Sequence, residues 1–160
     1  MKELNITTRI KVCGYDELTP EQKMLTDQAK EATFRAYAPY SEFFVGAAAE
    51  LANGEVISGN NQENAAYPSG LCAERVTLFF ANSKYPDVPV RRLAIAARTN
   101  GEFVEECVAP CGACRQVILE TEDRGREKME ILLCGKDQVY IVDSIKDLLP
   151  LYFSKDDLKG

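Results

Sequence analysis

The chain has 160 residues, 46% hydrophobic and 28% charged, a composition that suits one domain burying about 70% of its unfolded surface. A net charge of −6 with scattered Lys and Arg residues argues against nucleic-acid binding, which normally needs clustered positive charge. No apolar run approaches the ~20 residues that span a bilayer, and the N-terminus lacks a signal peptide's apolar stretch. We therefore expect a cytoplasmic protein of one domain, residues 1–160, without membrane or nucleic-acid partners.

The first elements can be predicted from periodicity and capping residues. Apolar and polar residues alternate over residues 4–12, which predicts a half-buried strand. A helix should follow, because Thr19 is a favourable N-cap, Pro20 suits the first helical position and Gln22 completes a capping box. It should end before Pro39, whose ring disfavours a helical conformation at the preceding residue.

The middle of the chain predicts a hairpin, a helix and a further strand. Segments 45–51 and 55–59 flank Asn53-Gly54, the preferred pair for a tight type I′ turn, and predict a β-hairpin. Residues 71–81 have apolar side chains at helical spacing, and residues 93–97 have the composition of a buried strand.

The last part of the chain continues the alternation of strands and helices. Pro110 should begin a helix that extends to about residue 122, followed by strands over 131–133 and 139–142 and a short helix over 145–149. This alternation predicts an α/β fold in which a mixed sheet is flanked by helices.

Six cysteines and no histidine narrow the chemistry of the chain. Three of the cysteines form two motifs, Cys72-Ala73-Glu74 and Pro110-Cys111-Gly112-Ala113-Cys114. In a cytosolic chain such clusters more often bind metal or perform chemistry than form disulfides. The C-x-x-C pair alone is ambiguous between zinc and a redox dithiol, but redox chemistry would not explain the first motif. The absence of histidine excludes Ser-His-Asp and Cys-His mechanisms and all metal sites with histidine ligands.

Three thiolates from Cys72, Cys111 and Cys114 would leave the fourth position of a zinc tetrahedron to water. Glu74 would then be placed to move protons to and from that water. Both motifs lie at predicted helix N-termini, whose free N–H groups and positive dipole end stabilise thiolates. Arg75 is expected to donate hydrogen bonds to the cysteine sulfurs and offset their negative charge. The pattern predicts a zinc-dependent hydrolytic enzyme.

Each of these residues also has an ordinary structural interpretation. Glu74 could complement the helix dipole, and Arg75 could lie on an exposed helical face. The three cysteines outside the motifs, Cys13, Cys107 and Cys134, are expected to be reduced, partly buried and packed as small hydrophobic residues.

The two motifs, extended to Cys72-Ala73-Glu74-Arg75 and Pro110-Cys111-Gly112-Ala113-Cys114-Arg115-Gln116, resemble those of the cytidine deaminase family in its small, three-cysteine form. Three further segments also match: residues 40–48, 59–68 and 148–150. The resemblance covers roughly residues 19–158. It implies a three-layer α/β/α fold with a mixed central sheet, one zinc ion per subunit and a homotetramer.

The resemblance also implies a reaction. Cytidine and 2′-deoxycytidine would be hydrolysed to uridine and 2′-deoxyuridine with release of ammonia, as in pyrimidine salvage. Glu74 would take a proton from the zinc-bound water that attacks C4 of cytosine, and would then deliver protons to N3 and to the departing amino group. The enzyme would be a hydrolase acting on the C–N bond of a cyclic amidine.

Substrate contacts are implied by the same resemblance. Asn61 and Glu63 would hold the ribose hydroxyls, and Phe43 would stack on the base. Tyr67 matches a position that reaches a neighbouring subunit's site, and Phe153 matches an aromatic residue that covers the substrate. The backbone at two further positions would read the base edge: Ala65 and Ala73.

Two other functions are compatible with the sequence. A related deaminase could act on a nucleoside-like antibiotic or on cytosine in a polynucleotide, although the acidic charge and the expected ribose contacts favour a free nucleoside. A zinc-stabilised binding module without turnover would need a fourth protein ligand, for which Cys107 is the candidate.

The chain departs from a minimal family member in its N-terminal segment, in the charged stretch 120–130 and at Phe44, where the family often has a smaller residue or proline.

Overall fold

One mixed β-sheet organises the computed structural model, which describes residues 1–159. The strands are β1 (Lys11–Gly14), β2 (Phe44–Leu51), β3 (Val56–Asn60), β4 (Val90–Thr99), β5 (Glu102–Phe103), β6 (Glu130–Cys134) and β7 (Gln138–Val142). Their order is β1-β7-β6-β4-β2-β3, with β5 paired to the end of β4. β4 and β6 are parallel, and the other neighbours are antiparallel. The predicted mixed sheet is confirmed.

Helices cover both faces of the sheet. They are α1 (Pro20–Ala32), α2 (Ala73–Lys84) and α3 (Gly112–Gly125), with 3-10 turns at Tyr15–Glu17, Thr33–Arg35, Tyr67–Ser69, Ile145–Asp147 and Asp157–Lys159. α1 packs on one face, and α2 and α3 pack on the other, which gives the predicted three layers. Within residues 1–159, no helix is both long enough and apolar enough to span a bilayer.

The central strand β4 shows how the sequence separates the two faces. Successive side chains of a strand point to opposite faces, and β4 is buried on both. Its larger residues, Leu93 and Ile95, join the apolar cluster formed with α2 and α3. Its alternate residues, Ala94 and Ala96, join the cluster formed with α1. Small side chains on the second face let α1 lie close to the sheet.

The N-terminal strand is much shorter than predicted. Residues 1–10 are exposed and form no regular element, and only Lys11–Gly14 pairs with β7. The prediction over residues 4–12 is therefore wrong for most of its length. Alternation buries side chains only where a neighbouring strand and an apolar face are present. Before Lys11, the Thr8 hydroxyl donates a hydrogen bond to the Asp147 carbonyl at 2.8 Å, which links the segment to the rest of the chain without a ladder.

The first helix begins as predicted. The Gln22 N–H donates to the Thr19 hydroxyl at 3.3 Å, and the Thr19 N–H donates to the Gln22 side chain at 3.0 Å. These reciprocal bonds form the capping box. The helix ends at Ala32, before Pro39 as expected, and continues only as a 3-10 turn.

The hairpin between β2 and β3 is present, but its turn differs from the predicted one. A type I′ turn needs positive φ at both central residues, whereas Gly54 (φ 87°) has it and Asn53 does not. The Gly54 N–H donates to the Leu51 carbonyl at 3.0 Å, and the Leu51 N–H donates to the Glu55 carbonyl at 2.9 Å. The connection is therefore longer than the tight two-residue turn.

Gly46 in β2 marks the closest approach of α1 to the sheet. A Cβ atom at this position would lie 2.1 Å from the Ala29 carbonyl oxygen and 2.7 Å from the Thr33 backbone nitrogen. Because both atoms belong to the backbone, α1 itself would have to move to relieve the collision.

We expect Gly46→Ala to lower the free energy of unfolding by about 2 kcal/mol or more, since overpacking would displace α1. Urea unfolding followed by circular dichroism measures the change. Gly14→Ala is the control, because its new Cβ would meet only the Glu17 carboxylate at 3.5 Å, and its effect should stay within about 0.5 kcal/mol. Equal stability of the two variants would contradict the prediction.

Candidate active site

The N-termini of α2 and α3 bring three cysteines together. Cys72 is the N-cap of α2 and Cys111 is the N-cap of α3, and neither sulfur caps a backbone N–H. Cys114 follows in the first turn of α3 and is buried. The Sγ atoms of all three residues lie within 4.8 Å of one another. The sulfurs that the sequence predicts as ligands therefore form one cluster.

The spacing of these sulfurs fits a single tetrahedral zinc ion. Sulfurs bound at about 2.3 Å in a tetrahedron lie about 3.8 Å apart. The Sγ atoms of Cys72 and Cys111 are 4.0 Å apart. Cys107 lies outside the cluster, and its Sγ faces the Gln138 carbonyl oxygen at 3.4 Å. The closed four-cysteine site that a binding module would need is therefore not formed by this residue.

The pKa values of Cys72 and Cys114 shift in opposite directions. Hydrogen bonding with Cys114 lowers the pKa of Cys72 to about 5, and Arg75 adds to this effect while burial opposes it. The same hydrogen bond, together with burial and the nearby Glu74 carboxylate, raises the pKa of Cys114. Binding of a metal by three thiolates must displace the Cys114 proton, so the apparent metal affinity should rise with pH.

Arg75 lies against the sulfur cluster. Its Nη2 atom is 3.6 Å from the Cys72 Sγ, and the side chain is half-buried. Hydrogen bonding to the Cys72 sulfur raises the pKa of Arg75. The exposed surface position considered from the sequence is not what the structure shows.

Glu74 is a buried carboxylic acid in the first turn of α2. Its exposed fraction is 5%, and burial raises its pKa, opposed in part by a hydrogen bond to its own backbone. It neighbours Cys72 in the chain, and the negative charge of the Cys72 thiolate also raises its pKa. A buried carboxyl group with a raised pKa is suited to accepting and releasing a proton near neutral pH.

A cavity of about 510 Å³ opens beside the sulfur cluster, within the range of small-molecule sites, about 300–1,000 Å³. The lining residues are Tyr40, Ser41, Asn61, Gln62, Glu63, Asn64, Tyr67, Gly70, Leu71, Cys72 and Arg75. Three residues expected to bind substrate, Asn61, Glu63 and Tyr67, are therefore placed next to Cys72.

The other four residues expected to contact substrate are not among those that line the cavity. Phe43 is half-buried, Ala65 is exposed and Ala73 is fully buried. Phe153 is 58% exposed. None of these four residues lines the cavity in the part of the chain that the structure describes.

Glu63 organises one wall of the cavity. Its carboxylate accepts hydrogen bonds from the Tyr40 N–H at 2.9 Å, the Ser41 N–H at 3.3 Å and the Ser41 hydroxyl at 2.5 Å. The hydrogen bond from the Ser41 hydroxyl contributes most to lowering the pKa of Glu63, and the two backbone hydrogen bonds add to it. The carboxylate is therefore ionised at neutral pH. The residue-by-residue sequence reasoning missed Tyr40 and Ser41, although both lie in a segment that matches the family.

Asn61 holds the start of β2 in place. Its Oδ1 accepts the Val45 N–H at 2.8 Å, and its Nδ2 donates to the Phe43 carbonyl at 2.9 Å. The side chain thus fixes the backbone on both sides of Phe44. An amide retains one further N–H and one further lone pair, so these bonds leave capacity for a ligand.

A sequence model described as "Cytidine and deoxycytidylate deaminase zinc-binding region" matches residues 19–126, more than half of the chain, including all three clustered cysteines. The chain belongs to this deaminase family. The predicted resemblance is confirmed, and so are the fold class and the prediction of an enzyme that hydrolyses a C–N bond.

Named relatives are similar over most of their length. The chain is 40% identical to a cytidine deaminase of Sporosarcina psychrophila over 134 residues, 84% of this chain and 92% of that protein. It is 37% identical to a cytidine deaminase of Halalkalibacterium halodurans, covering 86% and 98% of the two chains. The crystal structure of a cytidine deaminase from Burkholderia pseudomallei has a TM-score of 0.69 at 39% identity, covering 85% and 100%.

We expect Cys72→Ala, Cys111→Ala and Cys114→Ala each to lose zinc on dialysis, because two sulfurs cannot replace a three-thiolate site. Cys107→Ala should keep the wild-type zinc content. Inductively coupled plasma mass spectrometry of the dialysed proteins measures this content. Loss of zinc from Cys107→Ala, or full retention in the other three variants, would contradict the assignment of ligands.

Proposed function

We propose that this chain catalyses the hydrolytic deamination of cytidine and 2′-deoxycytidine, a reaction of pyrimidine salvage that yields the uracil nucleosides and ammonia. The observation that supports this most directly is the three-sulfur cluster with a buried carboxylic acid, Glu74, beside a small-molecule cavity. Named cytidine deaminases that align with most of the chain support the choice of substrate.

The metal centre in this proposal consists of Cys72, Cys111 and Cys114 holding one zinc ion per subunit. When bound, zinc would supply a water molecule that loses a proton near neutral pH and can then attack C4 of cytosine. Arg75 donates a hydrogen bond to the Cys72 sulfur and reduces the negative charge that three thiolates place at the site.

Glu74 is the proposed proton carrier. Its carboxylate would take one proton from the attacking water and deliver it to ring N3, and would then take the proton of the added hydroxyl group and deliver it to the amino nitrogen, which leaves as ammonia. Burial raises the pKa of this group, so proton uptake at the carboxylate is favoured over that of an exposed glutamate.

Recognition of the sugar is assigned to Asn61 and Glu63. Both line the cavity, and the lowered pKa of Glu63 keeps an ionised acceptor available for ribose hydroxyls. The same negative charge would repel a substrate phosphate, which favours nucleosides over nucleotides. Phe43 is proposed to stack on the base.

Four further contacts complete the proposed site. The backbone of Ala65 and Ala73 would read the base edge. Phe153 would cover the substrate, and Tyr67 would reach a neighbouring subunit's site. The exposure of Tyr67 (76%) and Phe153 (58%) supports a role for these aromatic side chains in contacts outside their own subunit.

We propose a homotetramer in which neighbouring subunits complete each site. Phe79 and Phe80 on α2 are 49% and 55% exposed, a large apolar area for an unpartnered surface. Cys111 is also exposed in the single chain, although it belongs to the sulfur cluster. A neighbouring subunit would shield both features from water.

The proposal places this enzyme in the cytoplasm as one catalytic domain, residues 1–160. Clustered thiols stay available to a metal only in a reducing compartment, which supports the location. β1 near the N-terminus pairs with β7 near the C-terminus, which supports one continuous unit. The net charge of −6 supports a small-molecule partner over nucleic acid.

Glu74→Gln is expected to keep its zinc while its turnover of cytidine falls by about 10²–10⁴-fold, the usual contribution of a positioned general acid–base group. Loss of cytidine absorbance and release of ammonia measure turnover, with zinc content determined on the same samples. Glu31→Gln, an exposed position on α1, is the control and should match the wild type. Wild-type turnover by Glu74→Gln would contradict the role, and zinc-loaded wild type without uridine formation would overturn the proposed function.

Glu63→Gln is expected to raise KM for cytidine about tenfold or more, because it removes the charge from hydrogen bonds to the sugar. Free cytosine lacks the sugar, so we expect its kcat/KM to be much lower than that of cytidine and to be the same in the variant and the wild type. Steady-state absorbance assays on both substrates measure these constants, and Glu55→Gln on the exposed hairpin is the control. If cytosine loses as much efficiency as cytidine, Glu63 does not act through the ribose.

A further inference from the structure

The Pro110–Cys114 loop, whose last three residues form the first turn of α3, supplies two of the three sulfurs and is largely exposed in the single chain. Cys111, Gly112 and Ala113 are open to solvent, whereas the residues at either end, Pro110 and Cys114, are buried. An exposed ligand cannot be held by packing alone. Within one subunit, its position therefore depends on hydrogen bonds to the backbone around it.

Arg115, directly after the loop, provides such bonds. Its Nε donates to the Pro110 carbonyl at 2.8 Å, and its backbone N–H donates to the Cys111 carbonyl at 2.9 Å. The backbone bond is the first i→i−4 hydrogen bond of α3, and the side-chain bond adds a second link across the same turn. The half-buried guanidinium is partly shielded from competing water.

The same guanidinium ties the loop to a distant part of the chain. Its Nη1 donates to the Leu148 carbonyl at 2.6 Å. A guanidinium is planar and presents donors in a fixed fork, so two carbonyls bound at once determine its orientation. A lysine ammonium would have neither the plane nor the fork.

The receiving carbonyl of Leu148 is itself fixed by a buried glutamate. The Leu148 N–H donates to the Ile145 carbonyl at 2.8 Å. The Glu122 carboxylate accepts hydrogen bonds from the Ser144 hydroxyl at 2.6 Å and the Ile145 N–H at 3.2 Å, and its residue is 5% exposed. Both ends of α3 thus hold residues 144–148, through Arg115 at one end and Glu122 at the other.

We propose that Arg115 is a positioning residue for the metal centre, which holds the Pro110–Cys114 loop in its ligand geometry by bridging the Pro110 and Leu148 carbonyls. This inference deepens the proposed function and rests on it only in requiring that the three sulfurs hold a metal. Arg115 touches neither substrate nor sulfur in this role. It acts through the backbone on the exposed ligand Cys111.

Arg124 provides a matched comparison within the same helix. Its Nη2 also donates to a backbone carbonyl, that of Pro86, at 2.8 Å. It lies near the C-terminal end of α3, away from the sulfur cluster. Loss of its bond removes a similar interaction without affecting the loop.

The test compares Arg115→Gln, Arg115→Lys and Arg124→Gln in the zinc-loaded protein. Apparent zinc affinity is measured by competition with a chromophoric chelator, and the thiolate-to-metal charge-transfer band is recorded after exchange of zinc for Co²⁺. Removal of a group that orients metal ligands typically lowers affinity by about 10–100-fold, which we expect for Arg115→Gln together with a shifted band. Arg115→Lys should lose most of this affinity, and Arg124→Gln should match the wild type.

The results separate this inference from the proposed function. Wild-type affinity and an unshifted band in Arg115→Gln would overturn the inference, whatever the deaminase activity. A zinc-loaded wild type that does not deaminate cytidine would overturn the proposed function and leave the inference standing. If Arg115→Gln does not fold, Arg115→Lys decides, and wild-type zinc affinity in that folded variant would overturn the inference as well. An equal loss of affinity in Arg124→Gln would also overturn it, because the effect would then reflect helix stability alone.

Discussion

The site depends on α2 and α3 lying side by side in the same direction. α2 precedes β4 and α3 follows it, and the parallel pairing of β4 with β6 makes α3 a crossover on the same face as α2. The Asn82 amide of α2 donates to the Thr121 hydroxyl of α3 at 3.2 Å, at equivalent positions in the two helices. Their N-termini therefore open at the same edge of the sheet. Cysteines far apart in sequence meet there.

At this edge of the sheet, positive groups close to the sulfurs offset the negative net charge of the chain. The protein carries a net charge of −6, yet the cluster concentrates thiolates beside a buried carboxylic acid. Two helix N-termini and the Arg75 guanidinium provide positive potential where the sulfurs lie. Because these sources are within contact distance and partly shielded from water, they outweigh acidic groups scattered over the surface. The same burial raises the pKa of Glu74 and suits it to proton transfer.

Sequence patterns were reliable where a local interaction decides the structure and failed where a distant partner does. The capping box at Thr19 involves neighbouring residues and formed as predicted. Alternation over residues 4–12 resembles a strand, but no neighbouring strand is available before Lys11. Asn53-Gly54 favours a tight turn, but the strands it joins pair Glu50 with Val56, a register that leaves three residues, 52–54, between Leu51 and Glu55. The charged stretch 120–130 gives no sign that Glu122 is buried. Its carboxylate is buried because it accepts hydrogen bonds from residues 144 and 145.

The sequence by itself determined the candidate ligand set: three cysteines without histidine, a glutamate beside one of them, and capping positions that place the sulfurs at helix starts. It did so because ligand type and helix initiation are properties of short segments. Only the tertiary structure decided that the sulfurs converge within 4.8 Å, that Asn61 fixes the start of β2, and that Arg115 joins the Pro110 carbonyl to that of Leu148. These contacts join residues that are distant in the chain, and they form only when the sheet and its helices have closed around a common core.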